Sequence, residues 1–126
     1  MTTHDKTEQH RIRAAEAIFN IDIFWAETFA DTDMRDLNYC DLLSQLWIHR
    51  HEAPKTKTEL YELMPNISRR TAVKYVQKAI EQGFLAETPC EADRRIRLIT
   101  LTPMALEKIE VFLDYSSRCF LAVPSS

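Results

Sequence analysis

The spacing of hydrophobic positions changes along the chain, and each change marks an element. From Lys6 to Ala30 neither proline nor glycine occurs, and the run from Ala14 to Ala26 is apolar on nearly every side, with Asp22 its only charge after Glu16. A helix that is apolar all round has to be buried all round. A domain of 126 residues can hardly surround its own first helix, so a second subunit is the simplest cover, with a central core helix of a monomer as the alternative. Asp31-Thr32-Asp33 reads as a break. Helical spacing resumes over Leu37 to His51, with Leu42, Leu43, Leu46, Trp47 and Arg50 in step and Asn38 as the expected N-cap, and ends at Ala53-Pro54.

The next pair of helices is short and tightly punctuated. Thr56-Lys57-Thr58-Glu59 fits a capping box, in which the threonine hydroxyl and the glutamate carboxylate satisfy each other's backbone N–H groups. Leu60, Leu63 and Met64 supply one apolar face; Pro65-Asn66 ends the helix, with Asn66 expected in a left-handed turn and Ile67 packing beneath. Ser68 then caps a helix that runs without a breaker to Gly83, the one glycine of the chain, where a positive φ is expected. Ala72, Tyr75, Val76 and Ala79 form its inner face, with Ile80 beside them, while Arg69, Arg70, Lys74 and Lys78 fall mostly outside it. A cationic helix face alone is usually only a solvated one. Placed after a short capped helix and a tight turn, it matches the arrangement that sets a recognition helix in a major groove.

After Gly83 the period shortens to two. Phe84 to Thr88 reads as a strand, Pro89 to Arg94 as a turn, and Arg95 to Leu101 as the returning strand, with Arg95 and Arg97 opposite Ile96 and Leu98. Pro54-Lys55-Thr56 is a candidate third strand beside this hairpin. Thr102-Pro103 opens the last helix as N-cap and first-turn proline, and Leu106, Ile109, Leu113 and Phe120 give it a stripe before Pro124-Ser125-Ser126, which are expected to fray. The fold class is therefore mainly α with a small β-hairpin wing. It reads as a single domain over residues 1–126, with a winged helix-turn-helix at 37–102.

Gly83-Phe84-Leu85, Asp93-Arg94-Arg95 and Leu98-Ile99-Thr100-Leu101-Thr102 resemble the strand-wing-strand signature of the MarR-type (multiple-antibiotic-resistance) regulators. The resemblance covers about half the chain in detail. It implies a homodimer that binds double-stranded DNA and responds to a small-molecule effector; no cofactor is expected. Its wing aspartate and arginine brace the hairpin and a wing arginine enters the minor groove, which here points to Asp93, Arg94 and Arg95. The DNA-binding set expected on these grounds is Lys57, Ser68, Arg69, Arg70, Thr71, Lys74, Lys78, Arg94 and Arg95. In that family the first and the C-terminal helices form the dimer interface, here residues 5–30 and 103–121, with Ile18, Ile21, Trp25, Ile109, Leu113 and Phe120 as the expected contacts. Two departures stand out: Ala105 occupies a position where the family often has glycine, and a single C-terminal helix implies an abbreviated or rearranged interface.

Charge distribution sharpens this picture where the total blurs it. The net charge of −3 disfavours a polyanionic partner, but Met1 to Asp36 carries four Lys/Arg against eight Asp/Glu, net −4, whereas Ala53 to Lys78 carries six against two, net +4. No run of about 18 apolar residues suggests a membrane span, and the amino terminus lacks the apolar core of a signal peptide, so a cytoplasmic protein is expected. Cys40, Cys90 and Cys119 are odd in number and widely spaced, against a disulfide framework or a zinc site, and no motif beside Cys90 activates it as a redox thiol. His49 and His51 lie one residue apart and would diverge on a helix. Serines in caps and tail, scattered histidines, no phosphate loop and no HExxH argue against an enzyme. The alternative to a DNA-binding regulator is a winged-helix protein-interaction module.

Overall fold

The computed structural model describes residues 3–123, with side chains from residue 6 onward; the fraying expected at Pro124–Ser126 lies outside these residues. The element order is α1 (Thr3–Thr28), α2 (Leu37–Ile48), β1 (Lys55–Thr56), α3 (Lys57–Tyr61), α4 (Arg69–Glu81), β2 (Leu85–Pro89), β3 (Arg97–Leu101) and α5 (Pro103–Leu121). The three strands form one antiparallel sheet in the order β1-β3-β2. Lys55 pairs with Ile99, so the short strand expected before the first helix of the motif exists and lies beside the wing.

Local chemistry sets the boundaries of the central unit. Thr56 and Glu59 form the complete capping box of α3: Glu59 N donates to Thr56 Oγ1 at 3.3 Å, and Thr56 N donates to Glu59 Oε1 at 3.0 Å. Ser68 Oγ accepts from Thr71 N at 3.2 Å and starts α4. Gly83 ends it at φ +81°, a conformation that an L-residue reaches only with strain. Thr102 caps α5 by accepting from Ala105 N, and its hydroxyl also donates to Gly83 O at 2.7 Å, which ties the end of α4 to the start of α5.

The core gathers where all these elements meet. Trp25 of α1 and Phe29, just past its end, pack with tilted rings 4.1 Å apart, Trp25 meets Phe112 of α5 edge-on at 4.9 Å, and the Phe29 and Phe84 ring centres lie 5.6 Å apart. The indole N–H of Trp25 donates to Met34 O at 3.0 Å, so burying this large ring leaves no polar atom unpaired. Leu42, Leu43 and Leu46 of α2 and Ala72, Val76 and Ala79 of α4 complete the interior.

Several expectations require correction. Trp25 and Ile109 are fully buried within one chain and so have no surface to offer a second subunit. α1 packs on α5 along the stripe of Trp25; Phe19, on the opposite side, is 65% exposed, and Ile18, two turns before Trp25, is 61% exposed. The buried line of α5 is Ala105, Ile109, Phe112 and Ser116, at i, i+4, i+7 and i+11; Leu106 and Leu113 flank it and Phe120 faces solvent. Two of these four residues, Ala105 and Ser116, are small, and Ser116 Oγ donates to Phe112 O at 2.9 Å, so large apolar residues alone do not mark this face. The cap of α2 is Asp36, whose Oδ1 accepts from Asn38 N at 2.8 Å, so Asn38 is the recipient of the cap. α2 stops at Ile48, short of His51.

The turn between α3 and α4 also differs. Among the described residues no non-glycine has positive φ, so Asn66 is not left-handed. Successive short-range hydrogen bonds, Leu63 N to Leu60 O, Met64 N to Tyr61 O and Ile67 N to Met64 O, bring the chain round with ordinary backbone angles. In β3 the inward residue is Ile99, with Leu98 half-buried and Ile96 40% exposed before the strand begins. Register explains the shift, since Ile99 faces Glu87 of β2 and Lys55 of β1 at the centre of the sheet.

Candidate nucleic-acid interface

Helix α4 buries Ala72, Val76 and Ala79 and so must turn Arg70, Val73, Lys74 and Gln77 outward. Among the described residues Arg70 and Lys74 make no ion pair, and both are exposed. The other expected contacts on this helix are partly committed elsewhere. The Arg69 guanidinium lies 5.4 Å from the centre of the Tyr61 ring, a cation–π contact across the turn. Ser68 and Thr71 satisfy each other at the cap, with Ser68 Oγ donating to Thr71 Oγ1 at 3.0 Å. Lys78 reaches back to Asp33 at 3.6 Å, toward the body of the protein.

The wing divides its cations in the same way. Arg95 grips Asp93 with two parallel contacts of 3.1 Å, Nε to Oδ1 and a terminal nitrogen to Oδ2, while Asp93 Oδ1 also accepts from Arg95 N. These bonds hold the Asp93 carboxyl below the usual carboxylate range. Cys90 N donates to Ile96 O and Ile96 N to Asp93 O, closing the loop beneath the pair. Arg95 is thus the brace of the hairpin tip, and Arg94, exposed and without an ion pair among the described residues, is its free cation.

Lys57, expected among the DNA-binding residues, is instead engaged within the chain. Its Nζ lies 3.1 Å from Glu87 Oε1, the same oxygen that accepts from Arg97 Nε at 3.0 Å. The hydrogen bonds from Lys57 and then Arg97 hold the Glu87 carboxyl below its ordinary range. Sequence reasoning missed Glu87 because its partners lie ten and thirty residues away. It also passed over Val73 and Gln77, although both could be found by stepping round the helix from the inner face; a 43%-exposed valine between two free cations offers a methyl surface of the kind that meets a thymine methyl group.

Among the described residues the histidines and cysteines do not assemble. His49 pairs with Glu52 at the end of α2, and no group of three or more His, Cys, Asp or Glu converges among the described residues. Cys40 is half-buried, and burial pushes its thiol pKa up. A cavity of about 130 Å³ lies between the end of α2, the sheet and α5, lined by Leu46, His49, Ile99, Leu101 and Leu106 among others. No helix of the described residues is long and apolar enough to cross a membrane.

No protein-family model and no curated protein matches the sequence. Solved structures do. A MepR variant from S. aureus, bound to an oligodeoxyribonucleotide, matches with a TM-score of 0.70 over 100% of this chain and 87% of that chain, at 16% identity. The fold is that of the MarR-type winged helix-turn-helix regulators. The transcriptional regulator Tm0710 from Thermotoga maritima matches at 24% identity over 88% of this chain and 74% of that one, with a TM-score of 0.58. BpsR from Bordetella bronchiseptica, whose DNA binding is regulated by 6-hydroxynicotinic acid, matches at 18% identity over 87% and 75%, with a TM-score of 0.57. In this fold α4 is the second helix of the helix-turn-helix motif, and the wing lies beside it. Among the described residues Arg70 and Lys74 of α4 and Arg94 of the wing are exposed cations without an ion pair.

Proposed function

We propose that the protein is a homodimeric, sequence-specific DNA-binding transcription regulator. The observation that carries the reading is the outward line of Arg70, Val73 and Lys74 on α4, without an ion pair among the described residues, in a fold shared with a regulator solved on an oligodeoxyribonucleotide. Two such helices related by a two-fold axis would read half-sites about one helical turn apart, with Arg94 of each wing at the adjoining minor groove. The dimer is proposed through exposed apolar side chains of α1, with Ile12, Phe19 and Ile23 on one face and Ile18 on the neighbouring one, together with Phe120 and Leu121 of α5. An effector that adjusts DNA affinity is proposed by analogy with BpsR.

The test is a gel shift against the DNA upstream of the protein's own coding sequence, across several salt concentrations, with random duplex as competitor. A retarded species that survives competitor and weakens steeply with salt supports the reading. Absence of binding at low salt overturns it in favour of a protein-interaction module.

A further inference from the structure

One carboxylate oxygen of this protein holds two cations. Glu87 stands in the middle of β2, directly opposite Ile99. Lys57 opens α3 and Arg97 opens β3, and both converge on Glu87 Oε1 at 3.1 and 3.0 Å. The three side chains stay in contact with solvent, at 31%, 21% and 45% exposure for Lys57, Glu87 and Arg97. Without Glu87 the two cations would form a like-charge pair at the base of the wing, a pair that a phosphate would neutralise as readily as a carboxylate does. A phosphate contact carries no sequence information; it raises affinity for every duplex alike.

We infer that Glu87 is a specificity-determining residue, one that occupies Lys57 and Arg97 and so withholds them from the DNA backbone, leaving affinity to the base-reading face of α4 and the wing tip. The inference rests on the DNA-binding reading above. Glu87 acts through its two partners and positions them; it makes no contact with DNA itself.

The test compares wild type, Glu87→Gln and the triple variant Lys57→Gln, Glu87→Gln, Arg97→Gln, with specific and random duplexes titrated over a range of salt. Glutamine keeps the shape of the side chain and removes its charge, and thermal melting monitors the fold. The expected result for Glu87→Gln is tighter random-duplex binding at low salt, by roughly three- to tenfold, and a salt slope steeper by about one to two units per subunit, as each released cation displaces about one counterion. The ratio of specific to random affinity should fall. The triple variant should return the slope to the wild-type value, which stiffening of the wing would not do. If wild type binds its site and Glu87→Gln has the same slope, or binds both duplexes more weakly, the role of Glu87 is refuted while the DNA-binding reading stands. If wild type binds no duplex at all, both fall together.

Discussion

The hydroxyl of Tyr75, in the middle of the proposed recognition helix, donates to Asp36 Oδ2 at 2.6 Å. The other oxygen of that carboxylate caps α2, so one side chain fixes the start of one helix and the flank of another. The contact is reinforced on both sides. Tyr39 stacks on Tyr75 with ring centres 4.7 Å apart and donates its hydroxyl to Tyr75 O, while Lys78 and Gln82 both reach Asp33 in the same connector. Helix α4 is thereby clasped to the segment that joins α1 to α2. These contacts tie the position of α4 to that of the connector between α1 and α2.

Tyr75→Phe should remove the hydrogen bond and keep the stacked ring, at a cost of about 1 kcal/mol for a solvent-accessible bond to a charged acceptor. Burial works to raise the Asp36 carboxyl, but the bonds from Tyr75 and Asn38 outweigh it and leave the group below its ordinary 3.8. A carboxyl depressed in the folded state contributes stability above its unfolded pKa and loses it as the pH falls through the folded one. The difference between wild type and Tyr75→Phe should therefore be constant near neutrality and shrink below about pH 4. Urea midpoints measured at both pH values check this; a difference that grows in acid would show that the bond does not depend on ionised Asp36.

Trp25 and Phe19 should separate stability from assembly. Trp25→Ala empties a filled site between α1 and α5 and orphans the Met34 carbonyl, so a loss of about 3–5 kcal/mol is expected in chemical denaturation. Phe19→Glu lies on the bare side of α1 and should leave the unfolding of the monomer nearly unchanged while preventing association. Sedimentation of both variants at micromolar concentration is decisive: a Phe19→Glu protein that associates as the wild type does would remove α1 from the proposed interface.

What was legible in the sequence follows a physical division. The capping box of Thr56 and Glu59, the Ser68 and Thr102 caps and the Gly83 stop are local, since each partner lies within four residues, and all were readable. The strands of the wing were readable from their period of two, whereas the brace between Asp93 and an arginine came from the family resemblance. The inner faces of α2 and α4 followed from period alone. Whether Trp25 faces its own core or a partner did not, because an all-round apolar helix gives no angle from which to tell one side from the other. Lys57 looked free because Glu87 lies thirty residues on, in a strand whose register the sequence leaves open.

Gly83→Ala tests the one position where backbone conformation alone is at stake. A Cβ there would meet only the end of the Met104 side chain at 3.9 Å, an ordinary contact, so crowding is not the cost. The cost is the left-handed φ, about 1–2 kcal/mol, partly offset by the stiffer unfolded chain. A lowered urea midpoint with an unchanged denaturant slope is the expected result. A neutral substitution would mean that the junction of α4 and β2 relaxes without penalty, despite the Thr102 to Gly83 bond.

The final prediction separates the free cations by what they read. Arg70 and Lys74 sit one turn apart near the start of α4, where long donors reach guanine O6 and N7, and Val73 lies between them. Removing Arg70 should cost on the order of 1–3 kcal/mol on the specific site and little on random duplex, narrowing the gap between the two. Val73→Ser should relax selectivity at a single base pair, because it exchanges methyl contact for a hydroxyl. Arg94→Ala should weaken both duplexes about equally and lower the salt slope by about one unit per subunit, as expected of a side chain that senses backbone and groove width. Asp93→Ala should loosen the hairpin tip by releasing Arg95, so Arg94 loses its placement although its charge remains. Equilibrium titrations of the four variants on specific and random DNA, at three or more salt concentrations, resolve the roles. An Arg70→Ala protein that keeps wild-type discrimination would remove α4 from base readout, whatever the wing does.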